Sequence, residues 1–184
     1  MAQIRKYIRN ILNELFQHKD FNANFWRWFG DSKIVENGKP QICYHGSPNS
    51  NVMYFDIKKA GSSTDSGMFG KGFYFTNDKK FADSYNRDGE GDTLFAYLSI
   101  KNPLIINNKE DIPEIEVLGE SIEDMFNSAE TYSAMFRSWL IKNNFDGVID
   151  NISDVKQYVA LYPNQIKATE NDGSWDTHDK NIYS

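Results

Sequence analysis

The β-forming residues of this chain come in many short runs, and that distribution restricts the fold more than any other feature of the sequence. Runs rich in valine, isoleucine, tyrosine and phenylalanine are typical of strands, and turns rich in glycine, asparagine and aspartate separate them. Many short strands with scattered helices predict an α+β domain. The runs interpreted as strands are QICYHG, GFYFT, TLFAYLSI, FDGVID and QYVALY, with QIKAT as a further candidate.

Helical spacing of apolar residues indicates how the chain is organised. The isoleucines and leucines of residues 3–17 recur at the spacing of an amphipathic helix, and we assign an N-terminal helix to residues 1–20. The remainder, residues 21–184, is expected to form one domain, because no repeat or linker divides it. Further helices are predicted over residues 121–127 and 131–143, and through Phe81, Ala82 and Tyr85.

Two segments outside the strands differ in their expected burial. The segment FNANFWRWFG is too rich in aromatic residues for a solvated stretch, so it is predicted to cap the core, with Gly30 closing a turn. The terminal segment NDGSWDTHDKNIYS is polar, and we expect it to wrap loosely on the surface.

Charge and composition exclude several classes of protein. The net charge of −6 argues against general attraction to phosphate backbones, although it leaves room for a nucleic-acid substrate in a local site. The single cysteine, Cys43, excludes an internal disulfide framework. No apolar run has the length of a membrane helix, and the N-terminus does not resemble a secretory signal. We therefore expect a protein of the cytoplasm, in a bacterial or host cell, with no membrane partner.

Common catalytic motifs are missing from the sequence. His18, His45 and His178 lie far apart and lack the spacing of a metal site, so no metal is predicted. There is no GxxxxGK[ST] loop and no GxSxG nucleophile elbow. Cys43 follows strand-forming residues and is interpreted as a small buried apolar residue rather than a nucleophile.

Three separated motifs remain as candidates for chemistry. CYHGS places His45 at the end of a strand, GKGFYFTNDKKFADSY places Tyr74 in a strand and Tyr85 on the following helix, and KQYVALYPNQIKAT places Gln157 at the start of an apolar strand. Each motif alone is more often structural than functional. A strand histidine is usually hydrogen-bonded, tyrosines usually pack in cores, and a glutamine at a strand start is usually solvated.

Taken in this order, the motifs resemble the diphtheria-toxin and PARP-like branch of ADP-ribosyltransferases, whose signature is His, Tyr and Glu on three separate strands. YHGS resembles the first motif with His45, and MFGKGFYF resembles the second with Tyr74. Tyr85 falls where PARP-like members place a second tyrosine, and QYVALYPNQIK has Gln157 where the glutamate normally stands. The flanks over roughly residues 24–184 are most similar to ADP-ribosyltransferase domains of phage and prophage polyvalent proteins.

This resemblance implies a fold in which two small antiparallel sheets, with peripheral helices, form a cleft for NAD. The cationic nicotinamide ring would lie between Tyr74 and Tyr85, which favours the ring by about 0.5–2 kcal/mol. The Gly46 backbone would pair with the carboxamide, and His45, assisted by Ser47, would bind a ribose hydroxyl. NAD would be a substrate, and no metal would be required.

The sequence departs from the family pattern at two positions. Gln157 retains an oxygen that can accept a bond from the ribose 2′-hydroxyl, but it lacks the negative charge, a loss of about 1–2 kcal/mol or about ten- to thirty-fold in rate. An acid elsewhere is an alternative source of charge, and Asp154 is the nearest in sequence. Ala82 stands where PARP-like members often place a serine that bonds the carboxamide.

The resemblance implies a mono-ADP-ribosyltransferase that releases nicotinamide, of phage, prophage or toxin-like origin. A catalytically weak or silent module that binds NAD or a partner is the alternative, because Gln157 replaces the glutamate, and an NAD glycohydrolase is a further one. The acceptor is left open: a protein is favoured, with nucleic acid and small molecules as alternatives.

Overall fold

The computed structural model describes residues 21–48, 51–60, 67–86, 91–115 and 129–184. The helices predicted over residues 1–20 and 121–127 lie outside these ranges. The strands are β1 (Val35–Glu36), β2 (Lys39–Pro40), β3 (Cys43–Ser47), β4 (Phe73–Thr76), β5 (Asp92–Leu98), β6 (Pro103–Ile106), β7 (Gly147–Asp150), β8 (Gln157–Ala160) and β9 (Ile166–Ala168). The α-helices are α1 (Ala23–Phe29), α2 (Lys79–Asp83) and α3 (Ala129–Lys142), and Lys109–Asp111 and Pro163–Gln165 form single 3₁₀ turns.

The strands confirm the α+β class, and their order and pairing divide the large sheet into two halves. Seven of them form one sheet in the order β6-β7-β8-β4-β3-β5-β9, while β1 and β2 form a small hairpin. Within the large sheet, β3 and β4 pair only at Tyr44 and Thr76. β3 is otherwise paired along its length with β5, and β4 with β8. The sheet therefore consists of two halves joined at one position.

The two halves differ from the expected small antiparallel sheets in one respect. β6 and β7 run parallel, from Pro103 beside Gly147 to Ile106 beside Asp150. Parallel neighbours need a long crossover, and the chain between these strands includes α3. The other pairs in the sheet are antiparallel.

The register divides the side chains between two faces of the sheet. Directly paired residues share a face, and successive residues of a strand alternate between faces. Tyr74 pairs with Val159 and Thr76 with Gln157, so these four side chains share one face, which we call the helical face. The other face, which we call the loop face, carries the side chains of Cys43, Phe73, Phe75, Tyr158 and Ala160.

Helices cover the helical face on both sides of the junction between the halves. Phe136 and Leu140 of α3 are fully buried and pack with Val148 and Val159. At the other end of the sheet, the aromatic residues of α1 pack against Tyr97 of β5. The long apolar stripe of α3 thus covers β7 and β8, while α1 covers β5.

Helix α1 confirms the expected role of the aromatic segment. The Asn22 side chain accepts a bond from the Phe25 amide at the N-terminus, and Gly30 ends the helix with a positive φ of 57°. Phe25, Trp28 and Phe29 are buried, whereas Trp26 is exposed.

The terminal segment is more firmly packed than its polar composition predicted. Ile182 is fully buried in the core of the loop face, and Trp175 packs with α1. The buried Lys167 ammonium donates bonds to the carbonyl oxygens of Asp179 and Asn181, at 3.1 and 2.8 Å. The expectation of a loosely wrapped tail was therefore wrong, because two apolar side chains and one buried cation hold it.

Candidate active site

The three motif residues lie on adjacent strands around the junction between the two halves of the sheet. His45 lies on β3, Tyr74 on β4 and Gln157 at the first position of β8. These strands follow one another in the order β8, β4, β3. Motifs that are far apart in the sequence are thus brought to neighbouring strands.

The faces of the sheet separate His45 from the other motif residues. Tyr44 of β3 pairs with Thr76 of β4. Because these strands are antiparallel, extending the register by two residues places Gly46 opposite Tyr74. Gly46 and Tyr74 therefore share the helical face with Gln157. The side chain of His45 belongs to the loop face, on the other side of the same backbone.

His45 bridges the gap that opens between β3 and β4. Its Nδ1 lies 2.7 Å from the Tyr74 carbonyl oxygen, and its ring packs against Phe55 and Phe75 at centroid distances of 5.1 and 5.2 Å. Burial lowers the pKa of His45 below its usual 6.5, while the bond to the Tyr74 carbonyl opposes this effect. Since a carbonyl oxygen only accepts, Nδ1 carries the proton, and Nε2 of the neutral ring is an acceptor.

The Tyr74 hydroxyl organises the chain that precedes β4. It donates a bond to the Gly70 carbonyl at 2.8 Å and accepts one from the Phe69 amide at 3.0 Å. The Tyr74 ring is half-buried and packs beside the core that α3 forms on the helical face. The glycine-rich motif therefore folds back over its own tyrosine and fixes the position of that ring.

Gly46 permits close packing between β3 and the end of α2. A Cβ atom at this position would collide with the Ala82 carbonyl oxygen and would approach the Tyr85 Cβ to 2.9 Å. Only glycine allows this approach, because the opposing atoms belong to backbone or to a Cβ rather than to the end of a flexible side chain. The Ala82 side chain is buried. The first motif glycine thus brings Tyr85 over β3 on the helical face.

Tyr85 lies just beyond the helix in which the sequence analysis placed it. Helix α2 ends at Asp83, and Tyr85 belongs to the following turn. The Asp83 carboxylate accepts a hydrogen bond from the Thr93 hydroxyl at 2.6 Å, which links the end of α2 to β5. The Tyr85 side chain remains 37% exposed and makes an edge contact with the Phe81 ring.

Asn86, which the motif analysis did not single out, fixes the turn that carries Tyr85. Its side-chain oxygen accepts a bond from the Ser47 amide at 3.2 Å, and its nitrogen donates to the Thr93 hydroxyl at 2.9 Å. Ser47 itself is buried, and alternation places its side chain on the same face as that of His45. The Tyr85 turn is therefore bound to both β3 and β5.

Gln157 has an acidic neighbour that the sequence analysis missed. Asp150, the last residue of β7, pairs directly with Gln157, so both side chains lie on the helical face. The Asp150 side chain is largely buried, and its Oδ1 accepts a bond from the Ile152 amide at 3.0 Å. Its position could have been predicted by assuming that FDGVID and QYVALY form an antiparallel hairpin. In such a hairpin the last residue of the first strand lies opposite the first residue of the second.

Asp154 was considered above as an alternative source of charge, but it does not lie opposite Gln157. It is exposed in the loop between β7 and β8, and its backbone carbonyl accepts a bond from the Asn77 side chain at 3.3 Å. Of these two carboxylates, that of Asp150 therefore belongs to the residue paired with Gln157.

Cys43 has the properties of a structural residue. Its side chain is fully buried in the core of the loop face, and burial raises the pKa of its thiol well above the usual value. A thiol that resists ionisation is a poor nucleophile. The interpretation of Cys43 as a small apolar residue is confirmed.

The described parts of the chain carry neither a metal-binding cluster nor a membrane-spanning helix. No cluster of three or more histidine, cysteine, aspartate or glutamate side chains there is arranged to hold a metal ion. None of the helices described here is long and apolar enough to cross a membrane.

A divided α+β sheet, with His, Tyr and Gln on adjacent strands beside the division, defines a fold of the ADP-ribosyltransferase type. The family described as "ADP-Ribosyltransferase in polyvalent proteins" matches residues 36–175, a range that includes all three motif residues. The chain belongs to this family, which uses NAD as its substrate. No curated protein matches the chain.

The environment of His45 predicts how stability changes with pH. Because its pKa is lowered in the folded chain, the unfolded chain takes up a proton first as the pH falls below 6.5. The free energy of unfolding of the wild type should therefore fall more steeply than that of His45→Asn between about pH 7.5 and about pH 5, by at most about 1.4 kcal/mol per unit. Urea denaturation at the two pH values measures this difference.

A matched control is available for this experiment. His178→Asn makes the same substitution at an exposed position, where 93% of the side chain is accessible. Equal losses of stability in wild type and His45→Asn would contradict the burial of a neutral imidazole at position 45.

Proposed function

We propose that this protein is a mono-ADP-ribosyltransferase that takes ADP-ribose from NAD, releases nicotinamide and modifies an acceptor. The observation that carries the proposal is the common placement of Gly46, Tyr74, Tyr85 and Gln157 on the helical face, beside the division of the sheet. Membership of an ADP-ribosyltransferase family supports it. Phage or toxin-like origin and action in the cytoplasm of a bacterial or host cell belong to the same proposal.

In this proposal the nicotinamide half of NAD binds on the helical face. The flat cationic ring lies between the phenol rings of Tyr74 and Tyr85, where each aromatic face attracts the positive charge. The Gly46 backbone bonds the carboxamide, at a position where β3 is no longer paired with β4. Ala82 supplies no hydroxyl to this group, so the carboxamide depends more on the Gly46 backbone.

The proposed role of His45 is to bind the adenosine ribose. Its proton is engaged with the Tyr74 carbonyl, so Nε2 accepts a bond from a ribose hydroxyl. The same ring holds β3 and β4 in position around the cleft. Binding of the sugar and the geometry of the nicotinamide pocket are therefore coupled through one side chain.

The proposed reaction breaks the bond between the ribose C1′ and the nicotinamide nitrogen. The bonding electrons leave with nicotinamide, C1′ becomes oxocarbenium-like, and the nucleophile of the acceptor bonds to C1′ and loses a proton. The Gln157 amide oxygen accepts a bond from the ribose 2′-hydroxyl. Preorganised negative charge near C1′ would stabilise the transition state, and Gln157 cannot supply it.

We propose that Asp150 supplies this charge. Directly paired residues of antiparallel strands have Cβ atoms about 4.5–5.5 Å apart, so the Asp150 carboxylate is within reach of the site that Gln157 contacts. One of its oxygens is held by the Ile152 amide, which fixes the orientation of the group. A partly desolvated carboxylate acts more strongly on a developing cation than an exposed one.

Two other functions remain as competing hypotheses. The replacement of the usual glutamate by Gln157 favours a silent module that binds NAD, or an interaction partner, without turnover. An NAD glycohydrolase would use the same site but transfer ADP-ribose to water.

The proposed activity is tested by incubating the protein with NAD, labelled in its adenosine half, and a bacterial lysate. We expect free nicotinamide and label on an acceptor in equal amounts. Gln157→Glu should change the rate less than about tenfold if Asp150 already supplies the charge, since an uncompensated loss corresponds to about ten- to thirty-fold. Chromatography of nicotinamide and counting of labelled macromolecules measure both products.

The outcomes of this assay separate the hypotheses. Nicotinamide release without labelled acceptor indicates a glycohydrolase, and NAD binding in calorimetry without release indicates a silent module. Absence of both binding and turnover, in wild type and in Gln157→Glu, would contradict the proposal at its foundation.

Replacement of one phenol ring tests the nicotinamide pocket. Tyr85→Ala should weaken NAD binding about two- to thirty-fold, because a cation–π contact contributes about 0.5–2 kcal/mol. Isothermal calorimetry measures the dissociation constant. Tyr162→Ala is a matched control, since Tyr162 is 39% exposed and Tyr85 37%. Equal affinities for the two variants would remove Tyr85 from the site.

Replacement of the acid beside Gln157 tests the source of charge. Asp150→Asn keeps an oxygen for the Ile152 amide, so the fold should persist while kcat falls about ten- to thirty-fold, the loss that an uncompensated missing charge corresponds to. KM should change little, because the charge acts mainly in the transition state. Steady-state release of nicotinamide gives both constants.

The exposed Asp154 provides the control for this substitution. Asp154→Asn makes the same change in charge in the loop between the two strands and should leave kcat unaltered. A kcat for Asp150→Asn within twofold of wild type would show that the reaction proceeds without this carboxylate.

A further inference from the structure

A cavity of about 350 Å³ lies on the loop face of the sheet, away from the proposed nicotinamide pocket. Its floor is formed by β6, β7 and β8, and the hairpin of β1 and β2 lies at one side. Ile149 and Tyr158, which contribute to the floor, pair with each other in the register and so share the loop face. The cavity and the helical face are therefore separated by the thickness of one sheet.

The charge of this cavity is opposite to that of the chain. Lys33, Lys101 and Lys156 line it, and none of the lining residues in the described ranges is acidic. All three lysines are exposed. Lys33 makes a long contact of 3.9 Å with Asp31, itself 75% exposed, which leaves most of its charge available. A protein with net charge −6 thus concentrates positive charge at one concave site.

The walls between the lysines offer two further kinds of contact. Val35 and Ile105 are 45% and 46% exposed and present apolar surface to the cavity. Three side-chain amides also line the cavity, and each makes one bond within the protein: Gln41 Oε1 accepts from the Tyr158 hydroxyl, Asn102 Nδ2 donates to the Asn144 carbonyl, and Asn151 Nδ2 donates to Asn107. The Gln41 Nε2 donor and the Asn102 and Asn151 Oδ1 acceptors lie outside these bonds. Apolar walls with amides and cations at the rim suit a flat polar ring that is linked to phosphate.

The cavity also adjoins the proposed reaction centre along the chain. Asn151 directly follows Asp150, and Lys156 directly precedes Gln157, with successive Cα atoms about 3.8 Å apart. Asp150 and Gln157 are paired across β7 and β8. A strand of nucleotides seated in the cavity need only pass around this end of the two strands to reach the helical face.

We propose that the cavity binds single-stranded nucleic acid and that nucleic acid is the acceptor. This inference rests on the proposed function. The lysine ammonium groups neutralise backbone phosphates, and a base lies against Val35 and Ile105 with its edge bonded by the amides. A nitrogen or oxygen of the nucleic acid then bonds to the ribose C1′ and loses a proton, and nicotinamide leaves with the electron pair of the broken bond.

The cavity favours a nucleic acid over a phosphorylated peptide. A peptide phosphate is best held by the forked donors of arginine, and no arginine lines the cavity among the described residues. Lysines spaced around an apolar cavity instead fit a run of phosphates with a base between them. Nucleic acid is thus the acceptor in this proposal, where the sequence alone favoured a protein.

Binding is tested with a fluorescent single-stranded oligonucleotide of about 12 nucleotides in anisotropy titrations without NAD. We expect Lys33→Gln/Lys101→Gln to weaken binding at least tenfold and to reduce the slope of log K against log salt by about 1.4, at about 0.7 per phosphate contact. Lys109→Gln/Lys142→Gln makes the same change in charge at exposed positions outside the cavity and should bind like wild type.

A second measurement follows transfer. With NAD present, the cavity variant should label the oligonucleotide at least tenfold less than the control variant. Its release of nicotinamide measured without oligonucleotide, in which ADP-ribose passes to water, should stay unchanged. Equal binding by the two variants, no binding by wild type, or preferential binding of a phosphoserine peptide would each overturn the proposal. Nicotinamide release is measured separately, so none of these results contradicts the proposed cleavage of NAD. Failure of the proposed function would instead appear as an absence of nicotinamide release.

Discussion

The hydrogen bond between the His45 ring and the Tyr74 carbonyl holds the two halves of the sheet together where their backbones separate. β3 and β4 pair at one position only, and beyond it a side chain, rather than a continued ladder, spans the gap. Burial favours the neutral ring, in which Nδ1 donates to the carbonyl and Nε2 is an acceptor. The fold and the candidate site therefore depend on the same imidazole.

Close packing on the other side of β3 completes the candidate site. The missing side chain of Gly46 lets the end of α2 approach the strand, and the bonds that Asn86 makes to β3 and β5 hold the turn in place. Tyr85 gains its position from these contacts, although its own ring is partly exposed. A ring that is held through its backbone can receive a flat ligand without first being ordered.

The sequence predicted the strands and the motif residues because their signals are local. Runs of β-formers identified the strands, and motif order identified His45, Tyr74 and Gln157. The position of Asp150 opposite Gln157 was missed because it depends on register between strands, which local patterns do not specify. Tyr85 was assigned to a helix because the bond from Thr93 to Asp83, which accompanies the end of α2, joins distant residues. The packing of the terminal segment was not predicted because Trp175 and Ile182 are isolated apolar residues in a polar stretch of sequence.

The terminal segment also determines how much chain the folding unit needs. The match to the family ends at residue 175, whereas both carbonyl partners of the Lys167 ammonium and the fully buried Ile182 come later. A protein shortened at the family boundary would leave a cation inside the molecule with neither oxygen and would open a void beneath β9. In a longer polypeptide that carries several domains, the junction after this folding unit is therefore expected beyond Ile182.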